Sequence, residues 1–169
     1  MENHEAFYES MAPNYIAMGR LLHAWDNVES GWSYFFETLF EDHPFSQRVF
    51  YASSTFATKA NIIERLLEVS SSPARENTSR ALDRSKVLAR RRNDIVHGAW
   101  VSTHSSQVIR IAIKKDHDDT AATAAAYISN KDQKLADRAY DTTRMLKLST
   151  EIQTLAEEVY AIAERLRGT

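Results

Sequence analysis

Between Pro13 and His43-Pro44 the residues Met18, Leu21, Trp25, Val28, Trp32, Phe35 and Leu39 recur at spacings of three and four. That period gathers them on one face of an amphipathic helix carrying large aromatic cargo. Pro13 suits a helix's first turn, and His43-Pro44 ends the run. Gly19 and Gly31 each weaken the helix by roughly 1 kcal/mol relative to Ala, so they are read as close helix contacts. A second helix is expected from about 45 to 69, with Val49, Phe56, Ala60, Ile63 and Leu67 on its stripe. Ser70-Ser71-Ser72-Pro73 is then a turn offering an N-cap serine and a first-turn proline.

The third helix runs toward His97, with Gly98 placed to follow its end. Its stripe reads Leu82, Ser85, Leu88/Ala89, Arg92, Ile95/Val96, so an arginine stands where the period asks for an apolar residue. Past Gly98 the period falls to two. Ala99–Ser102 and Val108–Ile113 are expected to form a hairpin around His104-Ser105-Ser106-Gln107. Lys114 to Thr123 is polar loop, and Ala124 to Ile128 a helical turn. A last helix spans about 131 to 167, where Met145, Leu148, Ile152, Leu155, Val159, Ile162 and Leu166 form a seam for the core or for a partner chain. The fold class is therefore all-α: an up-and-down bundle of four to five helices, with a short β-hairpin inserted before the last long helix.

Composition agrees with this class. The 169 residues fit one domain, and four glycines and three prolines leave few turns. With no cysteine, disulfides, thiolate catalysis and cysteine-based zinc sites are excluded. The acidic start MENHEAFYES resembles no targeting segment, and no apolar run reaches spanning length, so a cytoplasmic protein without membrane contact is expected. Charge is unevenly spread. Residues 1–44 hold one basic side chain, Arg20, against eight acidic ones; residues 73–98 hold seven basic against three acidic. An acidic helix beside a basic one accounts for this, as does a local anion site on the third helix.

The six histidines never form a helical i,i+4 pair and no carboxylate joins two of them at ligand spacing, so neither metal nor cofactor is expected. Phosphate loops and nucleophile elbows are missing too. What remains is Arg90-Arg91-Arg92-Asn93-Asp94-Ile95-Val96-His97-Gly98. Asn93 and His97 lie one turn apart, and the long Arg92 side chain can swing toward them. A guanidinium for phosphate oxygens, an amide and an imidazole are the parts needed for metal-free phosphodiester transesterification.

Arg92-Asn93-Asp94-Ile95-Val96-His97 resembles the R-x4-6-H motif of HEPN domains, in which a polar residue, often asparagine, follows the arginine. The motif falls at the end of a long third helix in a bundle of fitting size, so the likeness in architecture spans residues 1–169 as one HEPN-like domain, although only residues 92–97 carry motif-level identity. The resemblance implies an endoribonuclease acting on RNA without metal, with Arg92 and His97 catalytic and Asn93 supporting them. It implies a toxin–antitoxin or defence setting with a cognate antitoxin, and a homodimer whose two sites lie near the twofold axis. The axis would supply the second histidine that acid–base cleavage asks for; the nearest other histidine in the chain is His104. The alternative is a non-catalytic HEPN-like dimerisation module, in which Arg92 would be locked to a buried carboxylate such as Glu29 or Glu37.

Overall fold

Large apolar side chains at helical spacing, with few glycines and prolines to interrupt them, set the class. The structure, a computed structural model, describes residues 2–40, 43–69, 75–102, 108–112, 120–129 and 133–168. These contain α1 (Glu2–Glu37), α2 (His43–Tyr51), α3 (Phe56–Val69), α4 (Arg75–Val96), β1 (Ala99–Ser102), β2 (Val108–Ile111), α5 (Thr120–Ser129), α6 (Gln133–Ala136), β3 (Ala139–Tyr140) and α7 (Thr142–Arg167). The protein is an all-α helical bundle bearing one small antiparallel sheet of order β1-β2-β3.

Several boundaries differ from the sequence expectation. α1 begins well before Pro13, which lies inside it; the turn upstream is anchored by Met11, 1% exposed. The expected helix over 45–69 is two helices. Thr55 Oγ1 accepts the Thr58 N–H at 3.3 Å, a new N-cap, and the hydroxyl-rich Ser53-Ser54-Thr55 competes with helical bonding. The expected helical turn at Ala124 to Ile128 is a ten-residue helix. The last helix starts at Thr142 rather than about 131, because Asp141 Oδ1 caps it through the Arg144 N–H at 2.7 Å. The sheet also has a third strand, Ala139–Tyr140, where only a hairpin was expected. The capping turn at Ser70–Pro73, the hairpin turn at His104–Gln107, Ile113 and most of the polar loop lie outside the described residues.

The chain divides into two compact units. The aromatic unit comprises His23–Ala89 and Thr150–Thr169. Its core stacks Trp25 edge-on to Phe56 at 5.0 Å and Trp32 edge-on to Phe35 at 5.4 Å, against buried Ile63, Leu82, Ile152, Leu155, Val159 and Ile162. The α7 seam thus lines core. Gly31 allows a close helix approach as expected: a Cβ there would meet Val159 at 3.2 Å and Tyr160 at 3.3 Å.

The sheet unit comprises Met1–Leu22 and Arg90–Ser149. β1 pairs with β2 so that Trp100 faces Arg110 and Val101 faces Ile109; β2 pairs with β3 so that Arg110 faces Tyr140 and Ile111 faces Ala139. Alternation along a strand sends these rows to opposite faces. Ile109, Ile111 and Ala139 form a core with Ala124 of α5. The other row, Trp100-Arg110-Tyr140, serves the end of α4.

Candidate active site at the end of the fourth helix

A helix's last carbonyls lack partners within the helix, and its C-terminal end carries a partial negative charge. At the end of α4 the chain supplies its own cation. Arg110 Nε donates to the Ile95 carbonyl at 2.7 Å and Nη2 to the Val96 carbonyl at 2.8 Å. Its guanidinium lies over the Trp100 ring, 4.8 Å from the centroid. Burial lowers the Arg110 pKa, opposed by the neighbouring Tyr15. An arginine is charged throughout the accessible range, so the cap persists at every working pH.

Gly98 follows immediately. A Cβ there would lie 2.4 Å from the Ile111 carbonyl oxygen and 2.9 Å from that of Asp94. The expectation of a helix-terminating glycine holds, but the reason is space: the β2 backbone approaches so closely that no side chain fits.

On this end stand the three candidate residues, all within the sheet unit. Arg92 is half-buried, and its Nη1 donates to Asn93 Oδ1 at 2.8 Å. Asn93 and His97 are exposed on consecutive turns, joined through the backbone by the His97 N–H donating to the Asn93 carbonyl at 2.9 Å. Glu29, named as a carboxylate that could lock Arg92, is engaged elsewhere: Oε1 accepts the Trp25 indole N–H at 2.8 Å and Oε2 takes the Lys59 ammonium. His104 lies outside the described residues.

Sequence reasoning missed the layer beneath. Tyr140 of β3 is 8% exposed. Burial raises its pKa most; Asp94 adds to the rise, while Arg91, which also hydrogen-bonds it, and Arg144 oppose it. Arg144 in turn donates to the Ala136 and Ala139 carbonyls at 2.7 and 2.8 Å, fixing the strand that carries Tyr140. Arg110 had left one signal, a charged residue inside the apolar run Val108-Ile109-Arg110-Ile111. Tyr140 left none, since a two-residue strand is too short for a period.

The arrangement offers an exposed imidazole and amide above a half-buried guanidinium, on a helix end whose carbonyl charge is already offset. Arg110 offsets the Ile95 and Val96 carbonyls that an anion approaching this end would otherwise meet. Among the described residues no group of three or more His, Asp or Glu side chains is placed to hold a metal ion, and no helix is long and apolar enough to cross a membrane. No family model, curated protein or solved structure matches the chain.

Proposed function

We propose that the end of α4 is the active site of a metal-independent endoribonuclease of the HEPN kind. The observation that supports this reading most is the bond of Arg92 to Asn93 at 2.8 Å, beside an exposed His97 one turn on from Asn93. In the proposed reaction a ribose 2′-oxygen attacks the adjacent phosphorus. The O2′–P bond forms, the P–O5′ bond breaks, and the products carry a 2′,3′-cyclic phosphate and a 5′-hydroxyl. The proton leaving O2′ goes to a base, and O5′ receives one from an acid. His97 takes one of these roles, and in a homodimer with both sites near the twofold axis the partner's imidazole takes the other. Arg92 neutralises the phosphorane charge and Asn93 orients the phosphate. A toxin or defence component restrained by a cognate antitoxin is the setting in which such a site would act.

The test is incubation of the pure protein with mixed cellular RNA in EDTA. Fragments ending in cyclic phosphate are expected, with rates falling roughly a hundredfold or more for His97→Ala and Arg92→Ala. Cleavage that needs a divalent ion, or that survives His97→Ala unchanged, would overturn the proposal.

A further inference from the structure

The expectation that Gly19 marks a close helix contact fails among the described residues, since a Cβ built there meets no heavy atom of theirs within 4 Å. Gly31 and Gly98 are each held small by a neighbour; Gly19 is not. Gly19 lies in the middle of a second stripe on α1. Tyr8, Ala12, Tyr15, Gly19 and Leu22 alternate spacings of four and three and are all exposed, with Tyr8 at 61%, Tyr15 at 49% and the adjoining Ile16 at 59%. Such alternation is the seam of a helix pair, and it runs roughly 21 Å at 1.5 Å per residue. A bare backbone at its middle lets another helix come close.

We infer that two copies of this chain pair through this seam of α1, antiparallel, with the twofold axis near Tyr15. The charges select both occupant and direction. Glu9 and Arg20 are exposed; eleven residues apart, they are three turns along α1 and within about 20° of one azimuth, on one flank of the seam. Arg20 is the only basic side chain among residues 1–44. An antiparallel twofold sets Glu9 of each copy against Arg20 of the other, giving two equivalent ion pairs from one patch. A parallel pair would bring this flank against the opposite one, where Met11 is buried in the chain's own core and the half-buried Met18 carries no charge. The surface also adjoins the end of α4, because Tyr15 meets the Trp100 ring edge-on at 6.0 Å and Trp100 lies under Arg110. The inference names the surface for the dimer of the proposed enzyme, yet it stands whether or not RNA is cleaved.

Because the chain lacks cysteine, single introduced cysteines report the pairing of the whole protein directly. Under oxidation Tyr15→Cys alone should cross-link. Tyr8→Cys and Leu22→Cys should each stay uncross-linked alone and join when mixed. By sedimentation, Arg20→Glu should weaken the dimer on the order of tenfold, and Glu9→Arg combined with Arg20→Glu should restore it to within about threefold. A monomer at tens of micromolar, a disulfide dimer of Tyr8→Cys alone, or a double variant no tighter than Arg20→Glu would each overturn the inference. A face that binds only some other protein would appear as the first of these results.

Discussion

Both units bury some polar groups, as where Thr142 donates to the buried Asn14 at 2.9 Å in the sheet unit, but they differ in how they use their charged ones. The aromatic unit hides a few polar groups inside an apolar core and pairs them with one another. Trp32 donates to Ser85 Oγ at 2.9 Å, and Ser85 donates to the Ala81 carbonyl at 2.8 Å, so the serine on the α4 stripe serves the indole. Lys59 is only 5% exposed; it pairs with Glu29 and lies 5.0 and 5.1 Å from the Phe50 and Tyr51 ring centroids. The sheet unit instead directs guanidinium groups onto its own backbone: Arg110 to α4, Arg144 to the Ala136 and Ala139 carbonyls, Arg138 to Ala112 at 2.9 Å. A side chain that caps a helix end holds the backbone while leaving neighbouring polar groups facing water. In the second unit Asn93 and His97 stay exposed beside a helix end that Arg110 caps.

The sharpest test of the contrast is Glu29→Ala. It strands the buried Lys59 ammonium and removes the acceptor of the Trp25 indole, and should lower stability by about 3–5 kcal/mol. Chemical denaturation measures this, and a loss below about 1 kcal/mol would show that the pair is not held as a buried network. In the sheet unit the equivalent weak point is backbone spacing. Gly98→Ala should cost about 1–3 kcal/mol through its clash with the Ile111 carbonyl, whereas Gly19→Ala, which meets no described residue of its own chain, should raise the stability of the undimerised chain by up to about 1 kcal/mol. Equal melting shifts of the same sign for the two alanine variants would break this distinction.

The smallest effect is alkaline. The folded protein holds the Tyr140 phenol above its ordinary pKa, so the neutral form is favoured in the native state. That stabilisation is complete below the unfolded value of about 10 and is lost as pH rises through the folded value. Melting temperature should therefore fall more steeply above about pH 10 for the native chain than for Tyr140→Phe. Identical slopes would show that Tyr140 gains nothing from its site.

Much of the fold was legible in the chain because helical periodicity is a local property. Trp25, Val28, Trp32 and Phe35 declare the core face of α1, and Met145 through Ile162 that of α7, without reference to any neighbour. The break at Ser53-Ser54-Thr55 was legible only in principle: hydroxyl side chains compete with helical bonds, but Thr55 becomes a cap only where the chain turns. In the candidate site, the sequence already set Arg92, Asn93 and His97 by helical spacing, and it showed Arg92 as an anomaly on its stripe.

What only the tertiary structure decided is what lies around that end. Sheet register sets Arg110 between Trp100 and Tyr140 and turns its guanidinium onto the Ile95 and Val96 carbonyls. Tyr140 reaches Arg91 and Asp94 through a strand of two residues, paired across nearly thirty positions of chain. Gly19, Gly31 and Gly98 make the same point. Alike in sequence, they are separated by what approaches them: Val159 and Tyr160 at Gly31, the Ile111 backbone at Gly98, and none of the described residues at Gly19. Local spacing fixes the face on which a residue lies; only long-range packing fixes what meets it there.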